Sequence, residues 1–169
     1  MKHPSFFGYG SLVNLRTHTY PNPRLTEAPG WRRIWRSLVG VDHAILSVTP
    51  DDTCTLKGIV ADVPGADWAA LDAREGVYVR AALPTGTAIY EVQQGIIDHP
   101  APILRSYLDV VVQGYHDHYG DEGVAHFFAT TTNWQPIRDD RSEPLYPRHQ
   151  TVPTEVSALV DHHLAAVME

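Results

Sequence analysis

The apolar positions of this chain change their period partway along it. Up to residue 97 they fall in short alternating or β-branched runs separated by Pro, Gly and Asp: Ser5 to Phe7, Gly30 to Val39, Ala44 to Thr49, Thr55 to Val63, Val77 to Leu83 and Thr87 to Ile97. Such runs predict strands, and Pro84-Thr85-Gly86 predicts a hairpin tip between the last two. Asn14 to Pro29, rich in Pro, Asn and Thr, predicts irregular structure. Beyond residue 100 the spacing becomes helical. Leu104, Leu108, Val111, Val112 and Tyr115 recur at i, i+4, i+7, i+8 and i+11, which predicts an amphipathic helix over 102–118 that Gly120 breaks. Val124, Phe127, Phe128 and Thr131 repeat the spacing in a shorter segment. Val156, Leu159, Val160, Leu164 and Val167 repeat it in a C-terminal helix. Between these, Asn133 to Pro153 reads as a long polar loop, in which Trp134, Arg138, Arg141, Tyr146 and Arg148 can cover a ligand.

One short helix interrupts the strands. Asp67 is its expected N-cap, WAALDARE its body and Gly76 its C′ residue. The strand and helix alternation of a doubly wound sheet is missing from Trp31 to Ile97. The expected class is therefore α+β, with a mixed, partly closed β-sheet or barrel and flanking helices, in a single domain over 1–169.

Composition narrows the function. Thirteen Lys and Arg against twenty Asp and Glu give a net charge of −7, which argues against nucleic acid or an anionic membrane as the main partner. The one dense basic segment, Trp31 to Arg36 (WRRIWR), alternates like a strand with its arginines on one side. A single cysteine, Cys54, permits no intramolecular disulfide and no cysteine-based zinc site. With no apolar h-region at the start and no run of membrane-spanning length, a cytoplasmic location is expected.

Candidate chemistry concentrates in two stretches. The first is Phe6 to Asn14, FFGYGSLVN, a strand running into two glycines and a serine. Gly8 and Gly10 supply positions for positive φ or close approach of a ligand, and successive amides there can form an anion-binding concavity. Val13 stands where a dinucleotide fingerprint needs Gly or Ala, no Gly-Lys pair of a P-loop follows, and Ser11 lacks the flanking glycines of a nucleophile elbow. The second stretch is Leu71 to Arg80, LDAREGVYVR. Glu75 falls in the last turn of the short helix, where the helix dipole disfavours a carboxylate, so that with half burial a raised pKa suited to a general base is expected. A surface pairing with Arg74 or Arg80 is the alternative. Asp72, one turn earlier, is close enough to perturb Glu75 or is a helix-surface residue.

Together and in this order, FGYGSL and LDAREGVYVR resemble the γ-glutamylcyclotransferase-like family. The resemblance implies that Tyr9, Gly10, Ser11 and Leu12 bind a γ-glutamyl group, that Glu75 is the catalytic base, and that Tyr78 completes an E-x-x-Y pattern. PIRDDRSEPLYPR resembles the variable C-terminal part of bacterial members. The implied reaction needs no enzyme nucleophile and no metal or organic cofactor: the substrate's own α-amine attacks its γ-carbonyl, giving 5-oxoproline and a free amine or amino acid. The alternative is a non-catalytic module of the same fold that binds a small carboxylate. Metal sites are not expected: His116 and His118 are two apart on a helix, and His162 and His163 are adjacent. Oligomeric state is not legible.

Overall fold

The computed structural model describes residues 3–169. Its elements are β1 (Ser5–Gly8), β2 (Arg24–Leu38), β3 (Ile45–Asp62), α1 (Trp68–Arg74), β4 (Val79–Ala82), β5 (Ala88–Glu91), β6 (Ile96–Ile97), β7 (Ile103–Leu104), α2 (Arg105–Ala129), β8 (Thr131–Thr132), β9 (Ile137–Arg138) and α3 (Thr154–Val167). The main sheet runs β4-β5-β1-β3-β2-β6, and β8 joins it alongside β2. β1 lies parallel to β5 and antiparallel to β3, so the sheet is mixed, and it curls without closing. The class is α+β, as the order of strand-like and helix-like runs predicts.

The β2–β3 hairpin is the backbone of the sheet. The Pro50-Asp51-Asp52 signal, which predicts a break between two strands, is instead an irregularity within one strand: the register passes from Trp31↔Pro50 to Pro29↔Thr55. Gly30, at φ +86°, accommodates the same irregularity on β2, and Asp51 bridges it by bonding Thr53 N at 2.9 Å and Arg32 Nε at 2.7 Å. Irregular structure between residues 14 and 29 is correspondingly shorter than expected, since β2 begins at Arg24. The WRRIWR segment also differs from expectation. Arg33 shares the inward face with Trp35, and both are fully buried, while Arg32 and Arg36 face the other way.

Helix α2 packs against the sheet, with Leu108, Val111, Val112, Tyr115, Val124 and Phe127 in one core with Trp35, Leu46 and Ile59, and it is buried all round from Ser106 to Tyr115, where one core-facing stripe is expected. Gly120, at φ +66° and ψ −158°, interrupts the helical backbone, yet the helix resumes and reaches Ala129. α3 packs on α2 through Val156, Val160 and Leu164. Among the described residues, no helix is long and apolar enough to cross a membrane.

Candidate active site

The end of β1 points at α2, and this contact builds the site. After Gly8 the chain makes a single 3₁₀ turn over Ser11–Val13, with Val13 N–H on Gly10 O and Asn14 N–H on Ser11 O, both at 3.0 Å. Ser11 and Leu12 head that turn, and no backbone carbonyl takes their amides among the described residues. Neither Gly8 nor Gly10 has a positive φ; Gly10 sits at φ −124° and ψ −127°. The need for glycine is instead one of space, and it falls on Gly8, since at Gly10 a Cβ would make only an ordinary contact. A Cβ on Gly8 would lie 2.9 Å from Leu12 Cβ, and one on Gly10 would lie 3.4 Å from Leu46 Cδ2.

Three anchors hold this turn. Asn14, fully buried, donates through Nδ2 to Val110 O and Gln113 Oε1 of α2, each at 2.9 Å. Arg33 donates through Nε to Tyr9 O at 2.9 Å, and Tyr115 OH reaches the same carbonyl at 3.1 Å. His18, its pKa lowered by burial, meets Leu12 O through Nε2 at 2.8 Å.

Glu75 approaches from the opposite side. It is the C-cap of α1, its N–H on Leu71 O at 2.9 Å, and its carbonyl takes Tyr78 N–H at 2.7 Å in the next turn. That turn, which Gly76 enters without a positive φ, sets Tyr78 beside the carboxylate. Asp67 makes no side-chain cap. The Glu75 side chain is only 12% exposed. Burial raises its pKa, opposed by the charges of Arg74 and Arg148. The burial on which the expected shift depends is therefore present, and desolvation is its first cause. Glu75 does contact Arg74, with Nε 3.4 Å from Oε1, but this is a charge contact without hydrogen-bond geometry, and among the described residues Arg74 Nε has no hydrogen-bond partner. The other guanidinium nitrogens of Arg74 hold the loop beyond the turn, at Thr17 O (2.7 Å) and Thr17 Oγ1 (3.0 Å), with Ser11 Oγ at 3.4 Å. Asp72 turns away to Arg80 (2.9 Å) and Tyr90 OH (2.7 Å).

All six residues that the sequence singles out meet in one cavity. It is small and lined by Phe7, Tyr9, Gly10, Ser11, Leu12, Leu46, Glu75, Tyr78, Tyr90 and Tyr107. Burial raises the pKa of Tyr9, Tyr78 and Tyr107, and the charge of Glu75 pushes each further up. The carboxylate thus faces neutral phenols. Tyr9 OH donates to Tyr90 O at 2.5 Å and Tyr78 OH to Leu46 O at 2.6 Å. A wider groove lies between the start of β2 and the β4–β5 turn, lined by residues such as Leu25, Ala28, Val60 and Leu83, and it contains none of these groups.

Sequence reading missed Tyr107, Tyr90, Leu46 and the anchors Arg33 and Asn14. Tyr107 had a signal, since it sits three residues after Leu104 on the apolar stripe of α2. Leu46 had none. The histidines weighed as metal ligands are separated: His116 meets Asp121 at 3.2 Å, whereas His118 meets Val13 O at 3.0 Å.

No family model and no curated protein matches this sequence. Solved structures do. A crystal structure of an uncharacterized human protein superposes with a TM-score of 0.60 at 15% identity, covering 95% of this chain and 99% of that one. A structure described as gamma-glutamyl cyclotransferase superposes with a TM-score of 0.57, also at 15% identity and with the same coverage. At that identity the likeness is one of fold, and it extends over nearly the whole of each chain: this protein has the fold of a solved γ-glutamyl cyclotransferase.

Proposed function

We propose that this protein is a γ-glutamyl cyclotransferase and that Glu75 is its general base. The observation that carries the reading is the meeting of a buried carboxylate of raised pKa with the amide-bearing turn of Ser11 and Leu12 in one small cavity. A pure binding pocket for a carboxylate gains nothing from a second carboxylate in its wall, whereas a base must be there.

In the proposed reaction the γ-glutamyl chain bends so that its α-amine nitrogen attacks its own γ-carbonyl carbon. Glu75 accepts the proton that the amine loses as the new carbon–nitrogen bond forms. The amides of the turn hold the α-carboxylate or the developing oxyanion. As the tetrahedral species collapses, the bond from the γ-carbon to the leaving nitrogen breaks, and the proton held by Glu75 passes to that nitrogen. The products are 5-oxoproline and a free amine. Since both reacting atoms belong to one molecule, orientation by the cavity walls supplies a large share of the acceleration, several kcal/mol of it. The neutral phenols of Tyr9, Tyr78 and Tyr107 fit this role, being able to orient the chain without neutralising the base.

The test is incubation with a panel of γ-glutamyl amines, amino acids and peptides while 5-oxoproline is assayed. Release from at least one of them, dependent on Glu75, is expected. Tight binding of a γ-glutamyl compound without turnover would instead support the non-catalytic module.

A further inference from the structure

The start of the polar loop over residues 133–153 serves a second cavity, apart from the candidate active site. Trp134 stacks on Phe128, and Arg141 is bound to Asp109 at 2.8 Å through both Nε and Nη2. Asn133 and Gln135, on either side of Trp134, line a cavity with Arg36 of β2, Ile96 and Ile97 of β6, and Asp98 and His99 of the loop that follows. Its volume is about 320 Å³, room for a small organic molecule, and it shares no lining residue with the cavity of Glu75.

Arg36 sets the chemistry of this cavity. It is half-buried, its Nε is closed off from solvent, and among the described residues it has neither a hydrogen bond nor an ion pair. Arg32, on the same face of the strand, shows the ordinary outcome, with its Nε bound to Asp51 at 2.7 Å. Asp98 lines the same cavity as Arg36 yet forms no ion pair with it. A desolvated donor without an acceptor is costly, and a planar guanidinium is best satisfied by an oxyanion that takes two of its N–H groups together.

The walls around Arg36 are fixed to β2. Val39 N–H on Gly95 O at 2.8 Å and Ala101 N–H on Ser37 Oγ at 3.0 Å pin both ends of the 95–101 segment. On the other side Asn133, in left-handed backbone at φ +61°, donates through Nδ2 to Trp35 O at 2.8 Å, and Gln135 Nε2 reaches Asn133 O at 3.1 Å. Each of these side-chain amides keeps a second N–H for a ligand. Ile96 and Ile97, both partly exposed, give the cavity an apolar side.

We propose that this cavity binds a small organic carboxylate, with its charged end on the Arg36 guanidinium and the amides of Asn133 and Gln135 and its short apolar body against Ile96 and Ile97. One negative charge is favoured over two. Asp98 offsets part of the Arg36 charge, so a phosphate dianion is repelled where a monoanion is held. None of these residues belongs to the machinery of the proposed cyclotransferase reaction, and the site stands whether or not that reaction occurs.

The test is an NMR titration of the isotope-labelled full chain with 4-methylpentanoate, with its neutral carboxamide, and with inorganic phosphate. Saturable shifts of the Arg36 Nε–H resonance and of the backbone amides of residues 96–99 and 133–135 are expected with the carboxylate. The carboxamide should bind roughly 10- to 100-fold more weakly, and Arg36→Ala should weaken the carboxylate by a similar factor. Arg36→Lys should lose less, since it keeps the charge and gives up the fork. Asp98→Asn should tighten the carboxylate and narrow its advantage over phosphate. Equal binding of carboxylate and carboxamide, undiminished binding in Arg36→Ala, phosphate binding tighter than the carboxylate, or no saturable shift at these residues would each overturn the proposal. Should Arg36→Ala fail to fold, the comparison of carboxylate with carboxamide in the unmodified protein, read at Arg36 Nε–H, decides it.

Discussion

At the scale of the residue, Glu75 is the group on which the chemistry turns, and its burial makes a prediction with a sign. The carboxyl titrates above its ordinary value because desolvation outweighs Arg74 and Arg148. Its folded pKa is therefore raised above the unfolded one. Stability from this group is fully present below about 4.5, the ordinary value, and is lost as pH rises through the folded pKa. Replacing Glu75 by Gln removes that loss, so the variant should melt at an equal or higher temperature at pH 7 and converge with the unmodified protein, or fall below it, near pH 4. Turnover should behave in the opposite way. A base must be ionised to act, so kcat should decline on the acid side with a midpoint above 4.5, and Glu75→Gln should lose roughly 10²- to 10⁴-fold in kcat above that midpoint, the difference narrowing below it. Melting curves and 5-oxoproline release across pH 4 to 9 check both limbs. A variant that turns over at the unmodified rate shows that Glu75 is not the base, and one that unfolds shows that its role is structural. The sequence located this residue by its position at a helix end, while the extent of the burial that raises its pKa is set by other elements packed around it. No local pattern carries that information.

At the scale of the element, the decisive contact is between α2 and the turn after β1. Gly114, in the middle of α2, has Asn14 N where a Cβ would lie 2.7 Å away, with Asn14 Cα and Val13 C at 2.9 Å. All three are backbone or backbone-bound atoms of the site turn, so nothing flexible can yield. Alanine is the better helix former by about 1 kcal/mol, and at an exposed position this exchange would stabilise. Here overpacking, at about 1–3 kcal/mol, should win and push the turn off the helix. Gly114→Ala is expected to melt a few degrees lower, at about 2–4 °C per kcal/mol for a chain of this size, and to lose most of its activity through a displaced Tyr9–Leu12 segment. A variant that melts higher and keeps its activity would show that the helix and the turn are less tightly coupled than the distances imply. Element types were legible from the period of the apolar positions, but the stripe from Leu108 to Tyr115 does not mark a single buried face: every residue from Ser106 to Tyr115 is buried, so this half of α2 is a central helix and not the amphipathic one expected. Element ends were not legible. Pro50-Asp51-Asp52 resembles a strand break, but β2 runs on opposite it and its ladder carries β3 through as one strand.

At the scale of the whole molecule, one side chain joins every layer. Arg33 leaves β2 fully buried and reaches Tyr9 O at 2.9 Å, Lys57 O at 3.1 Å, Thr130 Oγ1 at 2.5 Å and the hydroxyl of Tyr115. Its guanidinium lies over the rings of Tyr115 and Phe127, at 4.7 and 4.9 Å from their centroids. Those contacts tie the sheet centre, the site turn, α2 and the start of β8 to one another. The alternation of WRRIWR gave the strand but hid this residue, because an arginine within a basic run looks like surface and its partners are uncharged oxygens from distant segments. A planar fork of five donors is what the arrangement requires. Lysine in its place keeps the charge but presents a single nitrogen on a shorter stem, which cannot meet four oxygens spread around a guanidinium plane, and the carbonyls it abandons are buried. Arg33→Lys should therefore cost about 2–4 kcal/mol, lowering the melting temperature by about 5–15 °C. Because Tyr115 OH still reaches Tyr9 O and Lys57 O, at 3.1 and 2.7 Å, the site turn should stay attached and the folded fraction should keep measurable 5-oxoproline release at low temperature. Thermal denaturation followed by near-ultraviolet circular dichroism, which reports the packed aromatic rings around Arg33, reads the stability directly. A melting temperature within a degree or two of the unmodified protein would mean that the charge alone suffices and that the fork geometry holds nothing together.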